Sequence, residues 1–238
     1  RDRDVTGVQT CALPILMLNI GKENYRMNSE NKKEEGVRKW WMKSILSLIL
    51  LSATLFLSSG KLSWGMAWLY LLTGAIIIIA NATAMDTNLL AERSQIQEGT
   101  KEWDVALVIF VSMLGPFVIW LTAGLDIRFG WSQGMSLEFQ IVALALVLLG
   151  GLLGTWSMAT NQYFSATVRI QSERNHTVVT QGPYKYVRHP GYAGGIITMS
   201  MTPIALGSWI ALIPGILVIC GYTLRTGLED KVLQEELK

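Results

Sequence analysis

The chain's two histidines, His176 and His189, lie thirteen positions apart, in a stretch that also carries Gly182, Tyr184, Tyr186 and Arg188 and is followed by Tyr192. Imidazole and phenol groups beside the mouth of a membrane helix can bind a polar ligand by hydrogen bonding and stacking. Gly182-Pro183 and Pro190-Gly191 would bend the backbone around it. The plainer alternative is an interfacial belt of Tyr, His and Arg that only anchors helices, and spacing alone favours neither. A second cluster tips the balance. Arg225 and Glu229 are four residues apart at the end of the last hydrophobic stretch, so they share one helical face. Their plain alternative is an i, i+4 ion pair, but an Arg at the lip of an apolar helix is costly without a partner or a task. Asp230, Glu235 and Glu236 beyond it read as a solvated helix face.

The elements that must position these groups are hydrophobic helices. Half of the 238 residues are apolar and only 16% are charged, a skew that belongs in lipid. The net charge of +2, with no basic stripe, excludes a nucleic-acid partner. Cys11 and Cys220 make no disulfide framework, and without a Cys/His cluster no protein-bound metal site is expected.

The stretch from Val5 to Ile15 matches nothing that follows in composition. Residues 1–26 are therefore expected to be a leader foreign to the fold, with Met27 as the start, and the chain is expected to be clipped after Lys238. Residues 27–43 form a basic head ending at Trp40 and Trp41, at interface depth. Four spans are expected over 44–160: Ser44 to Ser59, Trp64 to Met85, Trp103 to Gly124 with a kink at Pro116, and Glu138 to Thr160. Asp86 to Asp104 suits a segment lying along the interface, and Leu125 to Leu137 a turn-rich link. Gly150 and Gly154 have the spacing that lets two helices approach closely. After the polar segment Asn161 to Pro190, the apolar run Gly191 to Thr226 divides near Gly207 and Ser208 into a hairpin made irregular by Pro203 and Pro214. The expected fold is an all-α polytopic bundle of five or six membrane helices.

Lys and Arg fall mostly on one side if the N-terminus is internal, with Lys61 and Arg128 opposite. The site region 161–238 then faces the cytoplasm of a multi-pass protein, expected in a bacterial inner membrane.

The residues His176-x-x-Val179-x-x-Gly182-x-Tyr184-x-x-x-Arg188-His189-Pro190-x-Tyr192-x-Gly194, followed by a hairpin and Arg225-x-x-x-Glu229-Asp230-x-x-Leu233, form a joint pattern. From about Gln162 to Lys238 it resembles the isoprenylcysteine carboxyl methyltransferase and phospholipid methyltransferase superfamily. The resemblance implies an S-adenosyl-L-methionine cofactor held by His176, Val178, Val179, Tyr184, His189, Pro190, Gly191, Tyr192 and Glu229. It makes Arg188 and Arg225 the candidate catalytic residues, Arg225 facing the substrate and Arg188 organising the site. The implied partners are the bilayer and a lipid-like or small methyl acceptor, with no metal. Carboxylate O-methylation leads, with phospholipid N-methylation and thiol S-methylation as alternatives. A sterol-reductase-like enzyme using NADPH is the rival from another class; it would need more basic groups for the dinucleotide than Arg169 and Arg174 provide.

Overall fold

The computed structural model describes residues 12–94, 100–132, 134–169, 171 and 177–236, with side chains from Glu30 onward. His176 and Arg174 lie outside the described residues. Among the described residues eight α-helices make up the bundle: α1 (Ala12–Ser59), α2 (Gly65–Ala84), α3 (Thr87–Arg93), α4 (Glu102–Ile109), α5 (Gly115–Phe129), α6 (Leu137–Thr160), α7 (Pro190–Ala205) and α8 (Leu212–Glu236). Five helical stretches among the described residues are long and apolar enough to cross a membrane: Glu30–Ser59, Gly65–Ala84, Glu102–Phe129, Leu137–Thr160 and Leu212–Glu236. Leu46, Ile49, Leu72, Phe139, Val142, Leu149 and Ile213 are exposed around the outside of the bundle. Leu55, Val111, Ile119, Leu206 and Val218 are fully buried within it. An apolar exterior of this extent suits contact with lipid, and the protein is an integral membrane helical bundle.

Three boundaries differ from expectation. The helix that carries the first span runs back beyond Ser44 through the basic head; its 30 residues from Glu30 to Ser59 measure about 45 Å. A Glu35–Lys39 ion pair of 2.8 Å laces that extension, and residues 12–26, set aside as a leader, are also helical in backbone. The third span starts at Glu102 and continues past Gly124 to Phe129, where Gly130 ends it with a left-handed φ of 71°. It continues because Asp126 is buried and satisfied rather than solvated. Asp126 accepts hydrogen bonds from the Ser132 backbone N–H at 2.7 Å and from the Ser132 and Ser208 hydroxyls. Within Asp86–Asp104, α3 buries Leu89 and Leu90 against Val37 and Trp40 of α1.

Pro116 acts one turn earlier than its position suggests. Proline cannot donate, and the strain is taken up by a π turn over Phe110–Leu114, in which the Gly115 N–H reaches the Phe110 carbonyl. The hairpin divides where expected, at Gly207 with φ 76°. Its turn is pinned at the end of the bundle away from the site, where the Trp209 and Ile210 N–H groups both donate to the Ser132 hydroxyl at 3.1 Å.

Helix α7 packs most extensively on α6. A Cβ on Gly194 would lie 2.5 Å from the Gly150 carbonyl oxygen and 3.0 Å from the Gly154 nitrogen. Gly150 and Gly194 thus form a backbone-to-backbone contact, the packing role suggested for Gly150, whereas an added Cβ on Gly154 would meet nothing within 4 Å.

Candidate active site

The end of α8 turns one face inward. Tyr222, Arg225, Glu229 and Leu233, spaced three or four residues apart, all line a cavity of about 350 Å³. Pro190 opens α7 at its first position, where its missing N–H costs nothing, and this presents His189, Gly191 and Tyr192 to the same space. The end of α6 contributes Gly154, Met158 and Asn161, and the α4 to π-turn segment contributes Val108, Val111 and Ser112. A short 3-10 turn, Gly182–Lys185, brings in Tyr184. Gly182 has φ 54°, and a Cβ there would lie 2.7 Å from the Thr160 hydroxyl, so this position lets the loop rest on the end of α6.

Val178, Val179, Tyr184, Arg188, His189, Gly191, Tyr192, Arg225 and Glu229 therefore meet around one cavity. Pro190 is buried behind it as the start of α7.

The polar groups are arranged in pairs. His189 Nε2 and Asp230 Oδ1 share a hydrogen bond of 2.8 Å, and the His189 ring stacks on Tyr192 with centroids 5.6 Å apart. The Tyr192 hydroxyl donates to Glu229 Oε2. Asn161 Nδ2 donates to the Tyr184 hydroxyl at 3.3 Å, leaving that O–H free to donate. Burial raises the Tyr184 pKa, so this donor keeps its proton near neutral pH.

Arg225 does not pair with Glu229. Its Nε and Nη2 donate to the two carboxylate oxygens of Asp104 at 2.6 and 3.0 Å, and Nη2 also reaches the Ala166 carbonyl at 3.0 Å. The guanidinium lies 5.1 Å from the Tyr192 ring centroid. Asp104 is fully buried and also accepts from the Val168 N–H at 2.6 Å, so it joins α4, α8 and the loop after α6. At the far end of α8 Asp230 is held by His189, whereas Glu235 and Glu236 are exposed as a solvated face, Glu236 with a surface ion pair to Lys101 at 2.8 Å.

Asp104, Arg93, Phe164 and Tyr222 belong to this site and went unread in the sequence. Asp104 carried a signal, an acid next to Trp103 at the start of an apolar span. Arg93 stood out only as a topology-determining charge. Arg188 is exposed at the cavity and makes no ion pair or hydrogen bond among the described residues. Arg169 pairs with Glu92 at 2.7 Å.

Residues 143–235 match the isoprenylcysteine carboxyl methyltransferase (ICMT) family. Similar proteins include a protein-S-isoprenylcysteine O-methyltransferase of Schizosaccharomyces pombe, 36% identical over 74 residues, which are 31% of this chain and 31% of that protein. Protein-S-isoprenylcysteine O-methyltransferase B of Arabidopsis thaliana is 31% identical over 77 residues, 32% of this chain and 39% of that one. A probable protein-S-isoprenylcysteine O-methyltransferase of Oryza sativa is 30% identical over 79 residues, 33% of this chain and 41% of the relative. The matches thus span between about a third and two fifths of the curated relatives. No solved structure matches the chain. The region that matches the isoprenylcysteine carboxyl methyltransferase family starts within α6 and takes in the α7–α8 hairpin and most of the cavity wall.

Proposed function

We propose that the protein is an integral membrane methyltransferase that uses S-adenosyl-L-methionine to methylate the carboxylate of a lipid-like acceptor. The observation that carries this reading is the convergence of the family-matched residues Tyr184, His189, Tyr192 and Glu229 on one cavity that also reaches into the apolar bundle at Val108 and Val111. A volume of about 350 Å³ lies within the range of roughly 300–1,000 Å³ typical of small-molecule sites. The lining suits the cofactor's chemistry: aromatic faces at His189 and Tyr192 for a ring or a cation, and a carboxylate at Glu229 for an ammonium or hydroxyl group. Val178, Val179 and Gly191 would complete that wall, and His176 is assigned to it by resemblance.

Bound there, S-adenosyl-L-methionine would supply a methyl group on a sulfonium, which the acceptor's carboxylate oxygen would take as the S–C bond broke, so that both charges would vanish with no proton moved. The chain's own task is alignment and exclusion of water. Tyr192 links the two: its hydroxyl fixes Glu229 while its ring lies under Arg225 and beside His189. Arg188, exposed and unpaired among the described residues, can keep an incoming carboxylate ionised. Arg225 acts with its fork held by Asp104, contributing positive potential more than a free bidentate grip. The site faces the cytoplasm on the charge distribution, with a bacterial inner membrane as the setting.

The test is transfer of labelled methyl from S-adenosyl-L-methionine to N-acetyl-S-farnesylcysteine by the full chain in lipid nanodiscs. Saturable transfer that Glu229→Ala abolishes supports the reading. Transfer to a phospholipid amine or a small thiol instead would move the acceptor class, and absence of any transfer and of cofactor binding would overturn it.

A further inference from the structure

The charges around the cavity do not balance evenly. Asp104 is committed to Arg225, Asp230 to His189, and Glu229 accepts from Tyr192. Glu92, next in sequence to Arg93, is engaged by Arg169 at 2.7 Å. Arg93 lines the same cavity and is part-buried, yet it has no carboxylate partner among the described residues. Its contacts are a long hydrogen bond from Nη1 to the Ser165 carbonyl, 3.4 Å, and the face of the Phe164 ring, 4.9 Å from Cζ. Those two contacts orient the guanidinium without neutralising it, and Arg225 nearby adds like charge. A partly desolvated cation is costly unless an anion joins it.

We propose that Arg93 anchors a ligand carboxylate in this cavity, namely that of the methyl acceptor. The proposal rests on the methyltransferase reading of the same site and deepens it by naming the group that selects the acceptor. Arg93 lies on α3, outside the family-matched residues 143–235 that supply the groups assigned to the cofactor. A planar guanidinium steadied over a ring presents a fork that fits both oxygens of a carboxylate. Gripping that group turns one oxygen toward the methyl donor and holds the acceptor ionised, as nucleophilic attack requires.

The experiment measures binding rather than turnover. The full chain in nanodiscs is titrated with N-acetyl-S-farnesylcysteine and with its methyl ester, which differ by the charge, and separately with S-adenosylhomocysteine. Wild type is expected to prefer the acid over the ester by about tenfold or more. Arg93→Gln should remove most of that preference, leaving only the part the exposed Arg188 supplies, and leave S-adenosylhomocysteine affinity within about twofold, whereas Arg93→Lys, which keeps the charge but not the fork, should retain more of it. If Arg93→Gln weakens S-adenosylhomocysteine and keeps the acid preference, the carboxylate served is the cofactor's and the acceptor assignment is overturned. If neither quantity moves, or wild type shows no preference, the proposal falls while the methyltransferase reading stands. Acid preference in a wild-type chain that binds no S-adenosylhomocysteine would sink that reading and leave the Arg93 subsite.

Discussion

Arg225 and Asp104, 121 residues apart in sequence, form a two-pronged ion pair in which Asp104 is fully buried and Arg225 nearly so. A pair of this kind is strongly destabilising to break from one side, because the remaining charge is left uncompensated. Asp104→Ala should therefore lower stability by about 3–5 kcal/mol, readable as a fall in the detergent melting temperature. Asp104→Asn should also reduce turnover more than S-adenosylhomocysteine affinity, since it frees Arg225 from its position over Tyr192. An Asp104→Ala variant as stable as wild type would show that the pair is dispensable.

Glu229 and Tyr192 share a hydrogen bond at the cavity wall. Glu229→Ala and His189→Ala should each weaken S-adenosylhomocysteine binding by about tenfold or more, in line with the value of charge-assisted hydrogen bonds, and Tyr192→Phe should weaken it less. Isothermal titration on the purified protein checks this. Unchanged affinity in both alanine variants would remove these residues from the cofactor site.

Gly194→Ala places a methyl group 2.5 Å from a backbone oxygen of α6, which cannot swing aside as a side chain could. The helices must part, at a cost of about 1–3 kcal/mol. Because Tyr192 and His189 ride on the same end of α7, ligand affinity should fall along with the melting temperature. A Gly154→Ala control, where an added Cβ meets nothing within 4 Å, should melt like wild type.

The parts of this architecture visible in the sequence were those with local periodicity. Arg225 and Glu229 announce a common face by their spacing, the glycines announce a close helix contact, and Gly207 announces the hairpin turn. Long-range pairing left no such trace. Nothing near Arg225 indicates that Asp104 will occupy its fork, and nothing near Asp230 indicates that His189 will cap it, because each partner arrives through the packing of a different helix. The extension of α5 past Gly124 was hidden for the same reason: Asp126 looks like a loop residue until Ser132 and Ser208 are brought to it.

The Arg93 pKa is lowered from its ordinary value to about 10, chiefly by burial and then by Arg225. In the ligand-free protein the charged form is the disfavoured one, so its cost is present below that value and relieved as pH rises through it. Carboxylate binding has the opposite sign, being favoured while Arg93 is protonated. Acid-probe affinity should be level from roughly pH 5, above the carboxyl range, to roughly pH 9, and should fall above about 10 in wild type but not in Arg93→Gln. Fluorescence titration across that range reads it, and a profile shared by both proteins would contradict the assignment.

The most direct test of the central claim is equilibrium binding of S-adenosylhomocysteine to the full chain in nanodiscs, with NADPH titrated in parallel. Saturable binding of S-adenosylhomocysteine alone, weakened by Glu229→Ala, is the predicted result. Binding of NADPH alone would replace the methyltransferase with a reductase, and binding of neither would leave the cavity without the function assigned to it.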